Sequence, residues 1–130
     1  MSNGSELRSW GTTLLRIVVG VVFVMHGGQK LFMGFHEVAG FLNQFGIPYP
    51  NVAAIVLTVA EFFGGIAMVL GLLTRYIAVV LAFDMAVAII VFHVHNGFFM
   101  PDGIEYPMVL LAANLSFIFS GGGAFELVRS

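Results

Sequence analysis

The sequence predicts an all-α protein, an antiparallel bundle of four helices that spans a membrane. Apolar residues make up 59% of the 130 residues, charged residues make up 9%, and mean hydropathy is +1.00. A soluble domain carries about 25% charged residues. Four apolar stretches, at roughly 13–32, 52–73, 76–94 and 106–120, are each long enough to cross a bilayer. A bilayer requires every span to satisfy its own backbone hydrogen bonds, so all four are predicted to be helices.

The order of the elements predicts one domain, residues 1–130. The second and third stretches are separated by only about two residues before Tyr76, so they form a tight antiparallel hairpin. Pro107 suits the first turn of the fourth helix, where its missing N–H has no intrahelical partner to lose. Three consecutive glycines, 121–123, end that helix.

The segment between the first two spans carries its own helical signal. Val38, Phe41, Leu42 and Phe45 follow the i, i+3, i+4, i+7 pattern of an amphipathic helix. The segment is aromatic and has no Lys or Arg after Lys30, at its border. We therefore expect it to pack over one mouth of the bundle.

The basic residues predict the orientation. Arg8, Arg16, Arg75 and Arg129 belong to the end of the bundle that carries both termini and the hairpin. The loops at the other end hold acidic residues instead. The excess of Lys and Arg in cytoplasmic segments therefore predicts that both termini are cytoplasmic.

Composition also excludes several function classes. The net charge is −2 and the five basic residues are scattered singly, which excludes nucleic-acid binding and argues against polybasic recognition of lipids. The chain has no cysteine. Disulfides, thiolate metal sites and electron relay through a cysteine pair are therefore excluded.

Ionisable residues inside the apolar stretches predict an intramembrane site, because a charge near the bilayer centre costs about 2.5–3.5 kcal/mol even on lenient scales. The candidates for ligand binding or proton exchange are His26, Lys30, Glu61, His95 and Glu105. Glu61 lies near mid-membrane, where a carboxylate must be paired or protonated. Lys30 and His26 are its nearest cations by depth.

Three further polar residues are assigned structural roles: Arg16, Arg75 and Asp84. Arg16 either faces the bundle or extends its guanidinium to the interface. Asp84 is placed nearer the cytoplasmic half, packing with Asn114 or Thr58.

The histidines argue against a metal or haem site. On a regular helix His95 shares a face with Asp84, whereas His93 points away, since residues two apart diverge by about 200°. Both could bind one ion only if the helix unwound there. No metal ligand is assigned.

Three motifs resemble the DoxX family of small four-span bacterial membrane proteins. They are Leu14-Leu15-Arg16 with Gly20-x-x-Phe23-x-x-His26-Gly27-x-x-Lys30-Leu31, then Ala60-Glu61-x-x-Gly64-Gly65 leading into Gly71-Leu72-Leu73-Thr74-Arg75, and finally Asn96-Gly97-Phe98-Phe99 followed by Glu105-Tyr106-Pro107. They occur in the family's order over nearly the whole chain. The family's signature residues carry over as Arg16, His26, Lys30, Glu61, Arg75 and Glu105.

The resemblance implies a multi-pass protein of the bacterial plasma (inner) membrane. The family is linked to quinone-dependent oxidoreductase assemblies, including thiosulfate:quinone oxidoreductase. The resemblance therefore implies that this chain is a membrane subunit of a redox system, with a quinone or similar apolar molecule as its ligand. The alternative is a non-catalytic scaffold, a chaperone or a transporter of small solutes. Beyond the lipid bilayer, redox-enzyme subunits and a second copy of the chain stay open as partners.

Overall fold

The computed structural model describes residues 3–130, and its regular elements are helical. The α-helices are α1 (Asn3–Met33), α2 (Phe35–Gln44), α3 (Pro50–Leu70), α4 (Thr74–Ala88) and α5 (Glu105–Ser120). A π-helical turn, Ile89–His93, and a 3-10 turn, Val94–Asn96, continue α4. Within 3–130 the β-type pairing is limited to an isolated bridge between Leu72 and Val128. The all-α prediction is confirmed, and α2 is the short amphipathic helix that the loop pattern predicted.

Three of the four apolar stretches are long enough to cross a membrane: Gly4–Met33, Pro50–Leu70 and Thr74–Asn96. α5 has 16 residues, about 24 Å at 1.5 Å per residue, against a hydrocarbon core of about 30 Å. It is therefore shorter than the full span expected of it. The backbone beside α5 is paired within the protein, since the Ile104 N–H donates to the Gly97 carbonyl at 2.9 Å. Such pairing is what irregular backbone needs at membrane depth.

α1 begins earlier than the predicted start near residue 13. Its 31 residues extend over the polar segment that begins at Asn3, about 46 Å in all. A hydropathy window misses this part because it detects apolar composition, which this polar segment lacks. The tail after α5 contacts the end of this polar segment. There, the Ala124 N–H donates to the Ser9 carbonyl at 3.1 Å.

Glycines bring α1 and α3 into backbone contact, and this is the most extensive helix pair in the bundle. A Cβ added at Gly65 would lie 2.6 Å from the Val24 amide nitrogen, and one at Gly20 would lie 2.7 Å from that of Val69. Gly27 similarly abuts the Phe62 backbone. Close approach of small residues is how membrane helices gain packing energy, since lipid supplies no hydrophobic drive between them.

Two hydrophobic clusters fill the interior of the bundle. The larger one joins α1, α3, α4 and α5, and consists of Val19, Phe23, Met68, Ala78, Leu81, Met85, Leu110, Ala113 and Phe117. The smaller one packs α2 against α3, and consists of Val38, Ala39, Leu42 and Ala54. The second cluster fixes α2 over one end of the bundle.

The opposite end is closed by the α3–α4 hairpin and the tail 121–130. Gly71 ends α3 in the left-handed region, at φ 75°, where glycine meets no steric cost. The tail runs beside this turn: the Val128 N–H donates to the Gly71 carbonyl at 3.1 Å, and the Leu73 N–H donates to the Val128 carbonyl at 2.9 Å. The tight hairpin is confirmed, and the returning tail is an additional feature.

Candidate functional site

A cavity of about 690 Å³ lies at the end of the bundle covered by α2. Its walls are mostly apolar and come from α1 to α5 and the π-helical turn. The apolar lining includes Phe23, Val38, Phe41, Leu42, Phe45, Leu57, Phe83, Met85, Phe92 and Leu110. The polar lining includes His26, Lys30, Glu61, Asp84, His93 and Tyr106. α2 thus covers a hollow, as its aromatic composition predicted.

The central polar contact is an ion pair between α1 and α3. Lys30 Nζ donates to Glu61 Oε1 at 2.7 Å. The Glu61 side chain is 5% exposed and that of Lys30 is 25% exposed, so the carboxylate is buried while the ammonium reaches the cavity. The depth argument left Lys30 and His26 as candidates, and the structure selects Lys30. A buried carboxylate of this kind persists because it is paired.

Asp84 joins this pair from α4. Its carboxyl group lines the same cavity as Lys30 and Glu61, and its Oδ2 atom is buried with no hydrogen-bond partner. Neither expected structural partner bonds it: the Asn114 side-chain amide donates to the Leu110 carbonyl at 2.9 Å, and the Thr58 hydroxyl has no hydrogen-bond partner. The placement of Asp84 apart from Glu61 was therefore wrong: two carboxyl groups face one ammonium in the cavity.

A second polar pair links α1 with α5. The Tyr106 hydroxyl and His26 Nε2 are hydrogen-bonded at 3.2 Å, and either atom can carry the proton. Their rings are 5.7 Å apart between centroids. His26 is therefore tied to Tyr106, rather than to Glu61. Sequence analysis missed Tyr106, although its position at the start of α5 places it at the same end as His26.

Aromatic rings form the roof of the cavity. Phe41 of α2 and Phe45, the residue that follows α2, meet Phe92 of the π-helical turn at centroid distances of 5.3 Å and 4.6 Å. The Phe45 and Phe92 rings are nearly perpendicular, at 88°, an arrangement that aromatic pairs favour. These contacts couple α2 to the end of α4.

The π-helical turn reverses the expected roles of the two histidines. It contains one more residue per turn than an α-helix, so it rotates the following side chains by about 100°. His93 lines the cavity, and its Nδ1–H donates to the Asp102 carbonyl at 2.8 Å. His95 is exposed and is not part of the lining. The assignment of faces from a regular helix was wrong, and His95 lies outside the site.

Glu105 also lies outside the cavity. Its carboxylate accepts a hydrogen bond from the Met100 N–H, and its own N–H donates to the Phe98 carbonyl at 2.9 Å. The residue therefore secures the loop before α5. Its position in the structure is that of a loop anchor.

Arg16 and Arg75 lie at the opposite end of the bundle. Arg16 is fully buried, and its guanidinium donates to the carbonyls of Met68 at 2.8 Å and Gly122 at 2.7 Å, and also to that of Phe125. It faces inward and joins α1, α3 and the tail. Arg75 is exposed at the start of α4.

The cavity reaches the lipid-facing surface between α3 and α4. Val56 and Phe83 line it, although they are 61% and 71% exposed on the outside of the bundle. These two helices also pack against each other less extensively than α1 on α3 or α4 on α5. The exposed loop residues Asn96 and Asp102 also line the cavity, so it reaches the surface both at the side and at the end of the bundle.

Among residues 3–130, no group of three or more His, Asp or Glu side chains is placed to hold a metal ion. The polar side chains that line the cavity are those of Lys30, Glu61, Asp84, His26, Tyr106, His93, Asn96 and Asp102.

Comparison with known proteins identifies the family. A model of the DoxX family matches residues 11–94, which is more than half of the chain. The chain belongs to the DoxX family. This match covers α1 to α4 and therefore contains Lys30, Glu61 and Asp84.

Several relatives align with most of this DoxX protein. An uncharacterized protein of Haemophilus influenzae is 34% identical over 98% of the chain and 95% of the relative. The "Putative oxidoreductase CatD" of Bacillus subtilis is 31% identical over 82% of the chain and 77% of the relative. The "Inner membrane protein YphA" of Escherichia coli is 31% identical over 88% of the chain and 78% of the relative. No solved structure matches the chain.

Proposed function

We propose that this DoxX-family chain is a membrane subunit of a redox system and binds a quinone, or a similar apolar redox molecule, in the α2-covered cavity. The observation that carries the proposal is a mostly apolar cavity, bordered by exposed apolar side chains of α3 and α4, with the Lys30–Glu61 ion pair in its wall. Pockets for small molecules are typically apolar with a few placed polar groups. This one has that composition.

The residues present fit a quinone. Its head carries carbonyl oxygens that accept hydrogen bonds, and Lys30 and Tyr106 supply donors in the lining. Its ring and isoprenoid tail are apolar, which matches Phe41, Phe45 and Phe92. Asp84 Oδ2, buried and without a partner, offers a free polar atom at the same wall.

A bound quinone would supply electron and proton transfer, and the chain would supply position and proton exchange. Glu61 holds the Lys30 ammonium at the cavity wall, where it can orient a carbonyl oxygen. Asp84, on α4, can hold or release a proton at Oδ2, the oxygen that has no hydrogen-bond partner. The chain has no cysteine, so electrons would come from a partner subunit.

The names of two relatives support a membrane location for the proposed redox subunit. One carries the name of an oxidoreductase and another that of an inner-membrane protein. We infer from these names a bacterial inner-membrane location, with residues 1–130 as one multi-pass domain. A redox-enzyme partner is part of the same proposal.

The test uses the full-length protein, purified in mild detergent. Lipid-soluble compounds are extracted and quantified by mass spectrometry, and binding of decylubiquinone is measured by equilibrium dialysis. We expect retained quinone, and a loss of decylubiquinone affinity of about tenfold or more in Lys30→Met, since a hydrogen bond to a charged group contributes about 1.5–3 kcal/mol. The exposed residue His36 provides the control substitution His36→Gln.

Absence of retained quinone together with no binding of decylubiquinone would contradict the proposal. Binding that is unchanged in Lys30→Met, and equal to binding of a hydrocarbon of similar length, would also contradict it. Either result would favour the alternative of a scaffold, a chaperone or a transporter of small solutes.

A further inference from the structure

We propose that a second pocket, at the arginine-bearing end of the bundle, binds a phosphate group. The phosphate can come from the headgroup of an anionic lipid or from a soluble phosphate compound. The pocket is formed by the first half of α1, the start of α4 and the tail, and its volume is about 460 Å³. It is separate from the quinone cavity and does not depend on that assignment.

The lining of this pocket has an excess of positive charge. Arg8, Arg75 and Arg129 face one acidic side chain, Glu126. Hydroxyl groups complete the polar lining, from Ser5, Ser9, Thr12, Ser120 and Ser130. Guanidinium and hydroxyl groups are the donors that proteins use for phosphate oxygens.

The single carboxylate is buried, with its side chain 4% exposed, and its Oε2 atom has no hydrogen-bond partner. Glu126 Oε1 lies 3.5 Å from Arg129 Nη1, and Glu126 also faces the buried Arg16. In the described part of the chain, the guanidinium groups of Arg8 and Arg75 make no hydrogen bond or ion pair. Two cations therefore border the pocket without a counter-charge from a side chain.

Arg75 is held close to the backbone of the tail. A Cβ added at Gly121 would lie 3.4 Å from Arg75 Nε and 3.5 Å from Nη2, and Gly121 has φ +76°. The Arg75 main-chain N–H donates to the Ser130 hydroxyl at 3.1 Å. The Arg75 guanidinium thus lies against Gly121, and the Arg75 main chain is held by Ser130. This positioning reduces the conformational entropy that the Arg75 side chain loses when it binds an anion.

The position in the bundle favours a phosphate over other anions. The pocket lies where the long apolar helices α1 and α4 give way to polar residues, which is the level of lipid phosphates in a bilayer. Scattered arginines in the sequence gave no sign of a lipid site. The fold gathers them at one location.

The lipid arm of the test uses native mass spectrometry of the full chain in detergent with added phosphatidylglycerol or phosphatidylcholine. We expect one phosphatidylglycerol per protein and weaker binding of phosphatidylcholine, which has no net charge. The variants Arg8→Gln and Arg75→Gln should each lower the affinity for phosphatidylglycerol about fivefold or more. Arg75→Lys keeps the charge without the planar guanidinium and should fall between Arg75→Gln and the wild type, and His36→Gln is the distant control.

The soluble arm measures protection of the wild type against thermal unfolding by inorganic phosphate, with chloride at equal ionic strength as control. Protection that is lost in Arg75→Gln supports a phosphate site that also accepts soluble compounds. Phosphatidylglycerol binding with no effect of inorganic phosphate supports a lipid headgroup site. The proposal would be overturned if several phosphatidylglycerols bound with no preferred stoichiometry, or if the affinity were unchanged in both arginine variants. If a variant fails to fold, the stoichiometry measured on the wild type becomes the deciding measurement.

Discussion

The two ends of the bundle differ in how they use polar side chains. At the arginine end, Arg16 donates to carbonyls of α3 and of the tail, and the tail pairs with the α3–α4 turn. At the cavity end, Lys30, Glu61 and Asp84 line a cavity of about 690 Å³. Each end also holds one buried carboxyl oxygen without a partner, Asp84 Oδ2 at the cavity end and Glu126 Oε2 at the arginine end. Unsatisfied buried polar groups are costly. The comparison indicates that the buried Arg16 joins parts of the fold at the first end, whereas Lys30, Glu61 and Asp84 line a cavity at the second.

The largest expected effect concerns Arg16. Replacing it by leucine leaves several buried carbonyls without a donor, so we expect a loss of roughly 3–5 kcal/mol or a failure to fold. Arg16→Lys should be intermediate, because one ammonium cannot reach acceptors on both α3 and the tail. Thermal unfolding in lipid-free detergent measures the loss. Arg8→Leu, exposed on the same helix, is the matched control, and equal losses in Arg8→Leu and Arg16→Leu would break the comparison.

The next effect concerns the ion pair at the cavity end. Glu61→Gln leaves Lys30 without its carboxylate, so we expect lower stability or lower retention of decylubiquinone. Lys30→Met should partly restore the stability of Glu61→Gln, with a coupling free energy of about 1–3 kcal/mol. A double-mutant cycle by thermal unfolding provides the measurement. If the two substitutions change the free energy of unfolding additively, the interaction between Lys30 and Glu61 does not contribute to stability.

A smaller effect concerns the helix contact that supports the cavity end. Gly27→Ala forces a Cβ into the Phe62 backbone, so we expect a destabilisation of about 1–3 kcal/mol. Gly28→Ala is the matched control in the same turn, because its Cβ would lie 3.8 Å from the Phe62 ring. That substitution should be neutral or stabilising by up to about 1 kcal/mol. Equal behaviour of the two variants in thermal unfolding would mean that α1 and α3 do not depend on backbone contact here.

The last prediction perturbs the fold least and places the two ends relative to the membrane. The arginine end should be cytoplasmic. Ser130→Cys and Asn43→Cys, at exposed positions of the tail and of α2, introduce single thiols on a cysteine-free background. A membrane-impermeant maleimide applied to intact spheroplasts should label Asn43→Cys and leave Ser130→Cys unlabelled. The reverse pattern would invert the orientation of both sites.

The sequence analysis placed Asp84 at the wrong depth, and counting residues from the predicted hairpin would have placed it correctly. Glu61 lies nine residues before the end of α3 at Leu70, and Asp84 lies ten residues after the start of α4 at Thr74. At 1.5 Å per residue, the two carboxyl groups are about 14 and 15 Å from the hairpin, at the same depth. The predicted hairpin thus contained the signal for a shared site.

The sequence by itself determined the helical fold class, the tight hairpin, the amphipathic α2 and the need of Glu61 for a partner, with Lys30 and His26 as candidates. These features rest on local periodicity and on the cost of burying charge, which a linear chain displays directly. Only the tertiary structure decided which cation pairs with Glu61, which histidine faces the cavity, how the tail closes one end, and that three arginines of that end line one pocket. The π-helical turn changes the angular register of everything after it, and contacts between residues about 100 positions apart depend on the whole packing. Such contacts leave no pattern within a single helix, so they become visible only in the folded bundle.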